Sequence, residues 1–182
     1  PKHAKDGQWQ NAPNLVSDYR FIRRPRSYPK RVINSQEVLS QLLGVIESKN
    51  LKQALEIFLN YTQNFKLAKF QLDSTISIIK SFQSKYSSGI LISAGTGSGK
   101  TLGFYISALS KIANNIIEFD SKQWTQCIAI YPRTELLKDQ FSEIYNEARK
   151  LDKFLQNKGY RKIVIAPLFG DIPRNSFNFS SN

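Results

Sequence analysis

One cysteine and one histidine in 182 residues leave this chain without the side chains from which a disulfide or a His/Cys metal cluster is built. Cys127 has no intrachain partner, and His3 sits in a polar stretch near the start. The cysteine therefore reads as a small buried hydrophobe at the start of an apolar strand rather than as a nucleophile, and the lack of disulfides suits a reducing, cytoplasmic location. No apolar run approaches the ~20 residues needed to cross a bilayer. No signal-peptide arrangement opens the chain either, so a membrane is not an expected partner. Acid is scarce: 14 Asp and Glu stand against 26 Lys and Arg, a formal charge of +12. That balance favours a polyanion, with nucleic acid first. Methionine is absent, the chain begins at Pro1, and it stops in the polar run from Asn175 to Asn182. The expectation is a piece of a longer polypeptide holding one domain with an appendage.

What is present is concentrated at residues 94–101, Ala94-Gly95-Thr96-Gly97-Ser98-Gly99-Lys100-Thr101, set between the apolar run Gly89–Ser93 and a helical pattern. Three glycines in five residues let the backbone curl until successive N–H groups point at one anion. The following helix N-terminus adds its partial positive charge. Lys100 is positioned to reach the outer phosphates of ATP and the Thr101 hydroxyl to ligate Mg²⁺. The plain alternative, a flexible Gly-Ser turn, leaves the Lys-Thr pair and the helix behind it as coincidences.

Around this loop the periodicity organises the chain. Residues 1 to 33 form an irregular basic arm, in which Tyr19 to Arg31 interleaves six cations with three aromatics. Such a mixture suits phosphate contact with base stacking, or an arm whose rings pack on the neighbouring domain. Asn34 with Glu37 reads as a capping box opening a helix on Val38, Leu39, Leu42, Leu43 and Ile46. Leu51, Ala54, Leu55, Phe58 and Leu59 make a second helix, so residues 34–66 read as a helical hairpin stacked on the main domain. Leu72, Ile76, Ile79 and Phe82 mark a third. Beyond the loop, Leu102, Ile106, Leu109, Ala113 and Ile116 repeat at 4-3-4-3, and Leu137 to Leu155 do so before Gly159. Apolar runs at Gly89–Ser93, Cys127–Tyr131 and Ile163–Ala166 alternate with these helices. The order β-α-β-α-β predicts an α/β fold with a parallel sheet and ligand at the strands' carboxyl ends.

The loop A-x-T-G-x-G-K-T resembles motif I of superfamily 2 (DEAD/DEAH-type) helicases and translocases, in which Ala commonly opens the loop. Tyr131-Pro132-Arg133-Thr134-Glu135-Leu136 resembles their motif Ia, with Arg and Thr in swapped order. In that family this turn holds the phosphodiester backbone, which implies nucleic-acid contacts at Pro132, Arg133 and Thr134 and a bracing role for Glu135. A plain strand-turn-helix capped by Thr134 is the other reading. Phe169-Gly170-Asp171-Ile172-Pro173-Arg174 looks like the Gly-Asp-Thr-Pro segment of the YprA-like branch, and the Tyr-Pro start is shared with bacterial antiviral-defence helicases. The likeness implies nucleic-acid contacts at Gly170 and Asp171; a magnesium-binding acid at Asp171 is the alternative. Gln71, upstream on a helix, is either an adenine reader of the Q-motif kind or an ordinary surface glutamine.

The resemblance spans about residues 70 to 174. It implies the first RecA-like domain of a motor that couples ATP hydrolysis to movement on nucleic acid, with DNA favoured over RNA, truncated before the D-E-x-[DH] motif. Partners would be nucleic acid, the second RecA-like domain of the same polypeptide, and further protein subunits. Without the acidic motif and the second domain's arginines the chain lacks groups that orient water and stabilise the transferring phosphoryl. Two rivals stand beside this reading: another P-loop ATPase, of the transport or AAA type, and a nucleic-acid-binding scaffold with a vestigial loop.

Overall fold

The computed structural model describes residues 28–61, 64–95, 97–119 and 123–170. The arm as far as Ser27, Thr96, and the stretch from Asp171 onward lie outside the described residues.

Strand β1 (Arg31–Asn34) leads directly into helix α1 (Ser35–Leu43), and the expected capping box joins them. The Glu37 N–H donates to Asn34 Oδ1 at 2.9 Å, and the Asn34 N–H donates to Glu37 Oε2 at 3.3 Å. Two orphan donors of the helix start are satisfied reciprocally. Helix α2 (Lys49–Asn60) follows, then strand β2 (Lys66–Ala68) and helix α3 (Lys69–Gln83). β1 and β2 pair antiparallel, Ile33 opposite Leu67, with an irregularity between Arg31 and Ile33. Neither strand carries an alternating pattern long enough to be read from the sequence.

The phosphate loop opens helix α4 (Lys100–Glu118), the axis of the core. α2 and α3 both pack against it, and the buried stripe is the one read from the 4-3-4-3 repeat: Ile106, Leu109, Ala113 and Ile116, with Leu102 half-buried. From α2 come Leu51, Ala54, Leu55, Phe58 and Leu59, all buried. Each such large aliphatic or aromatic side chain contributes about 1.5–3 kcal/mol on leaving water. The hairpin of residues 34–66 thus shares one continuous core with the loop-bearing helix.

The α3–α4 seam is built from small and polar residues. A Cβ at Gly103 would meet the Ser74 Cβ at 3.5 Å, so the helices approach closely there. Thr75 Oγ1 donates to the Gln71 carbonyl at 2.8 Å and lies 3.2 Å from that of Gly103. That hydroxyl is buried yet satisfied.

Helix α5 (Thr134–Arg149) and helix α6 (Asp152–Asn157) occupy the single helix expected from Leu137 to Leu155. The break at Lys150 and Leu151 is made by i→i−3 bonds, from Lys150 N to the Glu147 carbonyl at 3.2 Å and from Leu151 N to that of Ala148 at 3.1 Å. Gly159, at φ 80°, then ends α6 as expected. Its N–H donates to the Gln156 carbonyl and that of Tyr160 to the Leu155 carbonyl, both at 2.9 Å, the paired bonds of a Schellman motif.

The expected parallel sheet is where structure and sequence part. The segments around Gly89–Ser93, Cys127–Tyr131 and Ile163–Ala166 carry no strand pairing among the described residues. Their apolar side chains are instead largely open to solvent, Leu91 at 94% and Ile130 at 89%. Parallel strands need helices on both faces. Here apolar cover is missing from much of each segment, as the exposure of Ile128, Val164 and Leu168 shows. Between 123–131 and 161–168, above α4 and α5, lies a largely apolar hollow of about 1070 Å³. Cys127 lines it and is exposed rather than buried, and the partial apolar cover pushes its thiol pKa up. Among the described residues no helix is long and apolar enough to cross a membrane.

Candidate nucleotide site

Gly97 and Gly99 take φ of 79° and 83°, the left-handed region that a Cβ disfavours. Gly99 is the N-cap of α4, so the loop delivers the chain straight into the helix whose first N–H groups lack intrahelical partners. The Ser98 N–H donates to the Gly95 carbonyl at 3.2 Å, closing a turn. The Ser98 hydroxyl is buried with no partner in the described structure, an orphan at the centre of the loop. Lys100 folds back over the loop, its Nζ donating to the Ala94 carbonyl at 2.6 Å and lying 3.3 Å from that of Gly95. The ammonium is held by two weak acceptors that phosphate oxygens outcompete, since a charge-assisted bond to an anion is the stronger one. Thr101 follows, half-buried in the first turn of α4. A glycine cradle, an orphan hydroxyl and a poised cation fit a triphosphate with its Mg²⁺.

Gln71 is not a surface residue: it is 0% exposed. Its Oε1 accepts from the Ala68 N–H at 2.9 Å and its Nε2 donates to the Gly99 carbonyl at 2.8 Å. The first bond is half of a capping box at the start of α3, whose other half Ala68 cannot supply. The second ties α3 to the phosphate loop. Half of the amide's hydrogen-bonding capacity is therefore committed to backbone, in a side chain closed to solvent.

Two residues of the basic arm arrive at the same place. A Cβ on Gly99 would stand 2.6 Å from Arg31 Nη2 and 2.8 Å from Gln71 Nε2, and one on Gly97 would stand 3.4 Å from Tyr28 Cε1. The end of the arm, which composition left open as a nucleic-acid contact or as an arm packing on the neighbouring domain, thus lies against the phosphate loop. Only the β1–β2 pairing brings it there, and no local motif announces that pairing.

The second candidate element is the turn before α5. Pro132, Arg133 and Thr134 are all exposed. Arg133, not Thr134, is the N-cap residue, and its side chain makes no cap bond, so the alternative reading of a turn capped by Thr134 is set aside. Glu135 lies in the first turn, where a carboxylate suits the helix dipole. One turn on, Lys138 Nζ sits 5.2 Å from the centroid of the Phe169 ring, which brings exposed Gly170 to the same end of α5. Arg149 and Lys162 both pair with Asp152, at 3.4 and 3.3 Å, and Arg149 donates to the Ile163 carbonyl, which anchors the segment leading to Gly170.

A model of the DEAD/DEAH box helicase family matches residues 74–168, just over half of the chain and inclusive of both elements up to Leu168. No curated protein and no solved structure matches it.

Proposed function

The chain belongs to the DEAD/DEAH box helicase family, and from that premise we propose that it is the ATP-binding part of a superfamily 2 motor that couples ATP hydrolysis to movement on DNA. Membership brings a RecA-like α/β fold, ATP with Mg²⁺ and a nucleic-acid substrate as general properties of the family. The observation that carries the finer reading is the phosphate loop, with left-handed Gly97 and Gly99 leading into α4 and Lys100 poised over it.

In this reading Gly95 to Gly99 present backbone N–H groups to the phosphates, and the α4 N-terminus adds its dipole. Lys100 exchanges the Ala94 and Gly95 carbonyls for the outer phosphate oxygens, and the Thr101 hydroxyl holds the metal. Mg²⁺, which the Thr101 hydroxyl would help to hold, would supply positive charge against that developing on the transferring phosphate. Pro132, Arg133 and Thr134 contact the sugar-phosphate backbone of DNA, and Gly170 and Asp171 contribute further contacts. Such contacts set register without reading sequence. The acids that orient water and the arginines of a second RecA-like domain come from elsewhere in the assembled motor. DNA is preferred to RNA on the likeness to the YprA-like and antiviral-defence branches.

The test is Lys100→Ala in the polypeptide that carries this chain. Turnover should disappear while the thermal melt stays unchanged, because the side chain lies on the loop surface and its charge acts mainly on the transferring phosphate. Near-normal turnover with an unchanged melt would refute the assignment.

A further inference from the structure

The two ends of the proposed motor site are joined by a chain of hydroxyl and amide groups. Tyr105 is four residues beyond Thr101 on α4, one helical turn deeper, and its side chain is 1% exposed. Its hydroxyl lies 2.9 Å from that of Tyr131, the residue immediately before Pro132, and 3.1 Å from Gln140 Oε1 on α5. Gln140 Nε2 donates to Glu143 Oε2 at 3.0 Å.

The donors can be assigned without ambiguity. A carboxylate only accepts, so the Gln140 nitrogen faces Glu143 and its oxygen faces Tyr105. Tyr105 has one proton, which that oxygen takes. Tyr131 must therefore donate to Tyr105. The bonds run in one direction, from Tyr131 through Tyr105 and Gln140 to Glu143, with every polar group in the chain used. Burial above all, with the nearby Glu143 and Glu147 carboxylates, pushes the Tyr105 pKa up, so it stays a neutral donor.

Among the described residues this is the only side-chain hydrogen-bond chain linking the helix that starts at Lys100 to both flanks of the Pro132–Thr134 turn. A rigid helix carries a displacement of its first turn to the next. We propose that Tyr105 is a positioning residue through which nucleotide on the phosphate loop and nucleic acid on the Pro132–Thr134 turn alter each other's binding and turnover. This rests on the function proposed above. Reciprocity is then obligatory: if nucleic acid promotes nucleotide binding, nucleotide tightens nucleic-acid binding by the same factor.

The experiment uses the polypeptide that carries this chain, with a mixed-sequence single-stranded DNA oligonucleotide as probe. ATP turnover is measured with and without the oligonucleotide, and oligonucleotide affinity with and without a non-hydrolysable ATP analogue. Tyr105→Phe keeps the buried ring and removes the central hydroxyl. It should leave turnover and the KM for ATP unchanged in the absence of DNA and lower DNA-stimulated kcat about fivefold, the factor set by one neutral hydrogen bond. The tightening of DNA by the analogue should shrink by a similar factor. Tyr131→Phe removes the same bond from a half-buried position that does not threaten the fold, and should have the same effect. The double variant should lose no more than either single one, the signature of a shared interaction.

Stimulation retained within twofold in both variants would overturn the proposal, as would losses that simply multiply in the double variant. A change in the KM for ATP that is the same with and without the oligonucleotide would do so too, because a purely structural role predicts it. A wild-type protein that DNA does not stimulate at all would instead remove the function proposed above, and this inference with it.

Discussion

Gln71→Leu separates a structural amide from a base-reading one, because the two roles lose different things. Leucine nearly conserves volume, so little cavity opens and the cost comes from hydrogen bonds. At one end the variant strands the N–H of Ala68, a residue 0% exposed, without an acceptor. An orphaned buried donor costs about 1–3 kcal/mol. At the other end it frees the Gly99 carbonyl, which is half-exposed and can turn to water, so that loss adds little to stability. About 2 kcal/mol is therefore expected in all, nearly all from the α3 start. For a chain of this size that lowers Tm by about 4–8 °C. The loop should also loosen, since nothing then ties Gly99 to α3, and ATP affinity should fall with GTP affinity falling equally. The assay is a calorimetric melt alongside titrations of both nucleotides. A Tm within about 1 °C of wild type, with loss of discrimination between ATP and GTP, would refute the reasoning and return Gln71 to the role of adenine reader.

Three further outcomes follow from other parts of the molecule. Arg133→Ala should weaken binding about equally across DNA sequences and reduce the slope of log affinity against log salt by about 0.7–0.9, the contribution of one phosphate contact; an unchanged slope in filter-binding titrations would take Arg133 off the backbone. Ile130→Lys, at a position 89% exposed, should change stability by less than about 0.5 kcal/mol, whereas Ile106→Ala, 0% exposed in α4, should cost about 2–5 kcal/mol in urea melts; equal costs would contradict the open apolar segments. Tyr105 has its pKa raised in the fold, so above about pH 10 the unfolded chain releases a proton that the native one keeps, and stability falls with pH from there. Tyr105→Phe should remove about 1.4 kcal/mol per pH unit of that fall at most, and parallel alkaline melts of the two proteins would disprove it.

The sequence by itself determined the helices and the loop. Helical stripes at 4-3-4-3 are visible because each residue's burial depends on its own helix turning one face inward, and α4 buries the stripe its spacing foretold. The loop is legible for a similar reason: left-handed Gly97 and Gly99, the capping box of Asn34 and Glu37, and the end of α6 at Gly159 are all local conformational demands that a residue type answers. Tertiary structure decided what depends on partners distant in the chain. Gln71 lies 28 positions before Gly99, and its spacing carried no sign that it would be buried against that carbonyl. Arg31 and Tyr28 reach the loop only because β1 pairs with β2, a match of segments too short to show periodicity. The bond of Tyr105 to Tyr131 spans two elements that share no pattern. The apolar segments at Gly89–Ser93, Cys127–Tyr131 and Ile163–Ala166 show the same limit from the other side. Their composition announces strands, but a strand becomes a sheet only when a neighbour supplies the ladder and a layer covers each face. That is a property of the whole assembly and of no segment alone.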